Sequence, residues 1–294
     1  MQRVVIVFPG ALGDCLLALP ALRRLRRRHR GAHVTCVVTE PLRGLVGMAG
    51  VADGVASLDA ADAARLFADG DPPGWLGRDA AVYSWLGATD DAVRARVARW
   101  ATAARFFRVV RDDGPRHAAL AYLDAIGEPA DAAGLPAESA LVVSRAADPP
   151  AAPGRAPLLV VHAGGGAGAK RWPVERVAAV VAWWRARGGV VTEVRGPAEG
   201  RAADVGADAV VAGLDVASLA TVLAQADRYL GNDSGPSHLA GAVGTVGVVV
   251  FGPTRPARWR PASRRIAVVA PALPGPIDAV ASEAVVAALR ASQP

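Results

Sequence analysis

One lysine, Lys170, stands among the 33 Lys and Arg residues of this 294-residue chain. It ends the stretch His162-Ala-Gly-Gly-Gly-Ala-Gly-Ala-Lys170 and is followed by Arg171-Trp172-Pro173. Lysine is a compact, rotatable point charge, whereas arginine is a rigid planar fork. A site that needs a point charge in a tight space cannot accept the fork. Glycines between a strand and a helix let backbone N–H groups approach an anion, so this loop can cradle phosphates. Neither Ser nor Thr follows the lysine, and the glycine spacing is wrong for a Walker A loop. A flexible strand-to-helix connection would account for the same glycines without chemistry.

A second candidate is Gly231-Asn232-Asp233-Ser234-Gly235-Pro236-Ser237-His238, which holds the only asparagine of the chain. Pro and Ser before an Ala- and Leu-rich stretch read as a helix start. Exposed N–H groups there can bind a diphosphate, Ser234 can add a hydroxyl, and His238 falls in the first turn. A structural helix cap is the competing reading. Asn232 and Asp233 make a poor metal site, with one carboxylate and no second acid beside it. The third candidate is Gly10-Ala-Leu-Gly13-Asp14, after the first apolar run. Asp14 is either a general base in a ligand crevice or a helix N-cap worth about 1 kcal/mol. The order GxxGD departs from the GxGxxG dinucleotide fingerprint. Phe251-Gly-Pro-Thr254-Arg-Pro is a fourth turn after a buried strand, weak when taken alone.

These loops need elements to hold them. Arg3–Phe8 and Leu158–His162 are near-continuous apolar runs, the sign of buried parallel strands. Cys15 to Arg30 carries Leu16, Leu19, Leu22 and Leu25 at helical spacing. Strand and helix signals then alternate through both halves, which predicts an α/β fold with helices on both faces of a parallel sheet. The Pro-rich text Asp148–Pro157, DPPAAPGRAP, reads as an interdomain linker. The resulting division is 1–148, 158–277 and a final helical segment 278–294. Apolar residues make up 52% of the chain and charged residues 20%, which excludes a disordered chain. No run of about 18 apolar residues occurs, so no spanning helix is expected. Met1 leads straight into the first strand without a signal-peptide pattern. Two cysteines, Cys15 and Cys36, exclude a disulfide scaffold or a cysteine zinc site. A formal charge of +6 suits an anionic partner: a nucleotide, a phosphorylated lipid, a membrane face or a nucleic acid. The run Arg23–Arg30 is either a lipid-phosphate patch or the solvated end of a helix. No aromatic-interleaved basic stretch argues for nucleic acid.

Together, GALGDCLLALPALRRLR, KRWP, LGNDSGPSHLAGAVG and VFGPT, in this order and spacing, resemble glycosyltransferase family 9, the ADP-heptose:lipopolysaccharide heptosyltransferases. The resemblance implies a GT-B fold, with two Rossmann-like domains facing a central cleft. It implies inverting, metal-independent transfer from a nucleotide-diphospho-sugar, with no cofactor. The N-terminal domain would bind the acceptor, the C-terminal domain the nucleotide, and the last helix would cross back to the first domain. Asp14 matches the family's candidate base, beside Gly10 and Gly13 on the acceptor side. Lys170 matches the lysine on the donor phosphates. Asp233 matches the acidic residue near the sugar, and Ser234, Gly235 and His238 match the phosphate-binding helix start. Glu199 matches a ribose-binding glutamate, and Leu214 would lie against the base. Where the family often places Ser or Thr hydroxyls, this chain has Gly165 and Gly166, so backbone N–H groups would serve. The chain also reads as short for the family, mainly in its N-terminal half. The expected partners are a nucleotide-sugar donor and a glycan or glycolipid acceptor, with a cytoplasmic location and peripheral contact with the inner membrane. The competing functions are a sugar-nucleotide epimerase or hydrolase on a similar scaffold, and a non-catalytic nucleotide or glycan binder.

Overall fold

A computed structural model describes residues 2–111, 114–143, 156–196, 199 and 204–292. The chain forms two compact units, Met1–Asp112 with Ala118–Ala132, and Asp113–His117 with Ala133–Pro294. In the first unit the strands β1 (Arg3–Phe8), β2 (His33–Val38), β3 (Gly54–Ser57), β4 (Ala80–Ser84) and β5 (Ala103–Phe106) make one sheet. Its order is β3-β2-β1-β4-β5 and every neighbouring pair is parallel. The helices α1 (Leu12–Arg28), α2 (Arg43–Ala49), α3 (Asp91–Trp100) and α4 (Ala118–Ala125) accompany it. Val4 to Phe8 are all buried, as a central strand covered on both faces requires. Val5, Val7, Val37 and Val82 pack with Leu76, Val97 and Trp100 into one core.

The second unit contains α5 (Leu135–Ser139), β6 (Leu158–His162), α6 (Val174–Arg185), β7 (Val190–Arg195), β8 (Ala209–Ala212) and α7 (Val216–Gln225). It continues with β9 (Arg228–Asn232), α8 (Gly235–Ala242), β10 (Gly247–Val250), α9 (Pro256–Trp259), β11 (Ile266–Val269) and α10 (Ser282–Ala291). Its six strands run in the order β11-β10-β9-β6-β7-β8, again all parallel. Each sheet is doubly wound. The chain leaves a central strand to one side and then returns to the other, so the winding reverses between β1 and β4 and between β6 and β9. Ligands bind at the carboxyl ends of strands at such reversal points.

Two expectations are corrected. The division between the units falls near residues 112–118 and 132–133, well before the Pro-rich text. Leu141 N–H donates to the Ala242 carbonyl at 2.8 Å, which ties this stretch to the second unit. Residues 148–155, most of the proposed linker, lie outside the described residues. The last helix, expected on the N-terminal domain, packs instead on α6, β10 and β11, with Val285 and Leu289 inside the second core. Its apolar stripe matches the surface next to it in its own unit. The strand β11 and the helix α2 were not anticipated, because four- and seven-residue elements leave almost no periodicity to read.

The arginines of α1 are largely spent inside the first unit. Arg28 pairs with Glu128 at 2.6 Å and Arg26 with Asp53 at 2.8 Å, while Arg24 donates to the Glu128 carbonyl. Both cysteines are buried; burial first, then Asp14, pushes the Cys15 thiol up to about 12, and burial pushes Cys36 up as well. They serve as small core residues. Among the described residues, no helix is long and apolar enough to cross a membrane.

Candidate functional site

The two strands that flank the second reversal point end in polar residues. β6 ends at His162 and β9 at Asn232, with His162 in register with Gly231. Asn232 is 2% exposed, so each of its polar atoms needs a partner. Its Nδ2 donates to the carbonyls of Ala163 and Gly164 at 2.8 and 2.9 Å. Its Oδ1 accepts the Trp172 N–H at 3.3 Å. One amide thus pins both ends of the glycine-rich loop, which an aspartate, lacking donors, could not do. Lys170 lies in that loop, on a short 3₁₀ turn at Gly168–Lys170.

From there the Lys170 Nζ reaches Asp233 Oδ2 at 2.7 Å, and the Thr254 hydroxyl donates to the same oxygen at 2.7 Å. Asp233 is buried, whereas the lysine side chain remains 30% exposed. A buried carboxylate requires such charge-assisted donors. An ammonium has three protons, so one on Asp233 leaves two for an anion. The carboxylate therefore fixes where the point charge sits. Thr254 connects the fourth loop to the site through this bond.

α8 begins at the next residues. Ser234 occupies the N-cap position with extended backbone, yet its side chain accepts no backbone N–H of the helix. Its Oγ instead lies 3.2 Å from His162 Nδ1 and 3.4 Å from Ser237 Oγ. The helix start also offers fewer donors than its sequence suggests. Pro236 has no N–H, and the N–H groups of Ser237 and His238 turn to the Ser234 carbonyl. That leaves Gly235 N–H and the positive end of the helix dipole for an anion. Ser237 is fully buried, bonded to the Asn232 carbonyl at 2.5 Å and to Tyr229 OH at 3.0 Å, so it is part of the support. His238 is buried in the first turn.

Glu199 follows β7. Its Oε1 lies 3.0 Å from His162 Nε2, and its Oε2 accepts the Gly196 N–H at 2.8 Å. A side chain at Gly164 would overlap this carboxylate, so glycine there admits it. Burial alone would raise the Glu199 pKa. The hydrogen bond and charge of His162, the Gly196 N–H and the charge of Arg171 outweigh burial and hold it below the ordinary carboxylate value. Gly165 is buried and its carbonyl accepts Arg171 Nε at 3.0 Å; Gly166 is exposed. Leu214 is half-buried after β8, two strands away from β6, and is not brought into this cluster.

In the first unit, Asp14 is the third residue of α1, not its N-cap. The N-cap is Ala11, which has no side-chain acceptor; Asp14 Oδ2 reaches back to the Ala11 N–H at 3.2 Å. The same oxygen meets Arg111 at 3.0 Å, and among the described residues both contacts fall on Oδ2. The arginine is 68% exposed, so this pair is weak. Gly10 packs so closely that a Cβ would strike the Phe8 ring and Asp14 Cβ, and Gly13 is the second residue of α1. Asp14 thus sits at the carboxyl end of β1, beside the first reversal point.

His162, Asn232 and Thr254 were not singled out as site residues from sequence. Each stands at the last residue of a strand or in the turn just after one, a positional signal that appears only once strand order is known. Among the described residues, no group of three His, Cys, Asp or Glu side chains could hold a metal ion.

Comparison with known proteins follows the same lines. Residues 107–278, more than half of the chain, match the family model of glycosyltransferase family 9 (heptosyltransferase). No curated protein matches by sequence. Among solved structures, a family 9 glycosyl transferase from Veillonella parvula is 19% identical with a TM-score of 0.72, over 98% of this chain and 96% of that one. The E. coli ADP-heptose lps heptosyltransferase II is 16% identical with a TM-score of 0.72, over 99% and 98%. The E. coli heptosyltransferase WaaC with ADP is 19% identical with a TM-score of 0.71, over 99% and 100%. At these identities the likeness shows the fold, the GT-B class of two Rossmann-like domains.

Proposed function

The chain belongs to glycosyltransferase family 9, and from that premise we propose an inverting, metal-independent transfer of a heptose from ADP-heptose to a lipopolysaccharide-core or related glycan acceptor. The observation that carries this reading is the placement of Lys170. The only lysine of the chain is aimed by a buried aspartate at the start of α8, on the carboxyl side of the reversal point. Two relatives of the same fold support the donor: one is named for ADP-heptose, and another was solved with ADP.

In this mechanism the acceptor oxygen attacks the anomeric carbon as the bond from that carbon to the diphosphate oxygen breaks. A single displacement inverts the anomeric centre. The acceptor proton passes to the Asp14 carboxylate, general base catalysis worth about 10²–10⁴-fold. Negative charge grows on the departing diphosphate. The two remaining Lys170 N–H groups, Gly235 N–H and the α8 dipole meet it without rearranging, which makes them effective at the transition state. The only carboxylate of the Asn232-Asp233 pair is already held by Lys170 and Thr254, which supports a cation-based rather than metal-based site. The first unit takes the acceptor and the second the nucleotide. The protein works in the cytoplasm, peripherally at the inner membrane where a glycolipid acceptor would be presented.

Product analysis with ADP-heptose alone, and with added acceptor, tests this reading. Acceptor-dependent release of ADP that survives exhaustive EDTA treatment supports it. Equal turnover without acceptor would reassign the protein as a sugar-nucleotide hydrolase or epimerase. Loss restored by Mg²⁺ or Mn²⁺ would reject metal independence.

A further inference from the structure

The end of β6 carries a chain of contacts that the proposed chemistry does not use. His162 is 3% exposed and bridges two groups of opposite character. Nε2 faces the Glu199 carboxylate at 3.0 Å, and Nδ1 faces the Ser234 hydroxyl at 3.2 Å. A carboxylate only accepts hydrogen bonds, so Nε2 carries a proton and donates. In the neutral ring Nδ1 is then an acceptor, and the Ser234 O–H must point at it. In that state the hydroxyl has no proton to offer a phosphate. If the ring gains a second proton, Nδ1 becomes a donor to Ser234 Oγ. The Ser234 O–H is then released to turn toward an anion at the start of α8. Ser234 is an N-cap whose side chain accepts no backbone N–H of its helix, and its contact with Ser237 Oγ within α8 is long at 3.4 Å.

We infer that His162 is a positioning residue whose protonation turns the Ser234 hydroxyl toward the donor diphosphate, so that donor binding takes up a proton at His162. This inference rests on the placement of the diphosphate at the α8 start proposed above. The groups bearing on the ring come from every element around it. Glu199, after β7, sets its carboxylate against Nε2. Arg171 in the glycine loop and Arg195 at the end of β7 act on Glu199. Lys170 is paired with Asp233, so that pair adds little net charge. Tyr229 on β9 and Ser237 in α8 complete the polar shell around Ser234. A phosphate arriving at Ser234 adds negative charge beside the ring and favours the second proton. His162, Glu199 and Ser234 thus form a coupled unit, in which the buried acid holds the ring and the ring sets the direction of the hydroxyl.

The test is isothermal titration of the whole protein with ADP-heptose between pH 6 and pH 8, in two buffers of different ionisation heat. ADP-heptose is the right probe because both its phosphates are diesters and do not titrate near pH 6 as a monoester does. The wild type should bind about 3- to 10-fold more tightly at pH 6 than at pH 8 and take up protons on binding. His162→Asn carries an amide that does not titrate, so its affinity should be flat with pH. Ser234→Ala removes no helix cap bond and should melt near wild type, bind more weakly and lose the pH dependence; it decides the matter should the histidine variant fail to fold. Binding by the wild type with no proton uptake, or an equal pH slope in either variant, overturns the inference while leaving the donor site standing. No ADP-heptose binding at any pH overturns both.

Discussion

Replacing Asn232 should unseat the loop that carries Lys170, and the cost can be worked from its contacts. The amide makes hydrogen bonds of 2.8, 2.9 and 3.3 Å while 2% exposed. Asn232→Ala leaves two carbonyls and one N–H without a partner. At about 1 kcal/mol net for each bond, the loss is about 3 kcal/mol. For a unit of this size that lowers Tm by about 6–12 °C. Asn232→Asp keeps the shape and the acceptor for Trp172 N–H, but sets a carboxylate against two carbonyl oxygens. It should therefore cost at least as much as alanine when ionised. That penalty should shrink in acid, because a protonated aspartate no longer repels and can donate one bond. Calorimetric melting of both variants at pH 5 and pH 8, with kcat/KM for transfer at pH 8, measures this. A kcat/KM fall beyond the fraction unfolded is expected, since the loop sets the lysine position. An aspartate variant that melts within about 2 °C of wild type at pH 8 would refute the pinning role of this amide.

Three further outcomes follow from the geometry. Asp14→Asn can still accept the Ala11 N–H and gives up only an exposed ion pair, so it should melt near wild type while transferring sugar at least about 10²-fold more slowly; near-normal turnover would leave Asp14 as part of the helix start alone. Burial first, then nearby arginine charge, lowers the pKa of His29 and of His117 below the ordinary 6.5, the His117 shift being partly offset by its bond to the Arg260 carbonyl. The unfolded chain then binds protons that the folded chain refuses, so their stabilisation is full above about pH 6.5 and is lost as pH falls through their folded values. Melting temperature should drop between pH 7 and pH 5.5, and a constant or rising Tm would contradict this. Glu199→Gln should leave His162 without its carboxylate, and its effect on ADP-heptose affinity should exceed its effect on Tm; equal loss in both would make Glu199 purely structural.

The strands were legible because parallel strands buried on both faces need continuous apolar runs: Arg3–Phe8 and Leu158–His162 match the structure end for end. Short edge elements such as Ile266–Val269 carry too few residues to declare a period. The last helix was misplaced because an amphipathic stripe states that it must be covered, not by what. At the site, Lys170 was legible through composition alone, as a lysine that survived among arginines. Its partner Asp233 was named for another role, and the salt bridge between residues 63 apart became visible only with β6 and β9 side by side. His162 and Thr254 lay in candidate loops but nothing marked the side chains themselves, since a strand-terminal histidine and a turn threonine are ordinary in sequence. The helix start misled in one respect: counting its N–H groups overlooked that Ser237 and His238 turn theirs to the Ser234 carbonyl.

The central claim is that one compact cation at residue 170 carries the diphosphate charge of the donor. The most direct measurement is kcat/KM for ADP-heptose with Lys170→Arg, beside Lys170→Ala and the wild type. The alanine variant should lose roughly 2–4 kcal/mol of transition-state stabilisation, about 30- to 1,000-fold in kcat/KM. Arginine keeps the charge but not the shape, and its planar fork does not fit where Asp233 and the glycine loop hold an ammonium. It should therefore recover little of that loss. Wild-type activity in the arginine variant would contradict the claim, because charge without shape would then suffice.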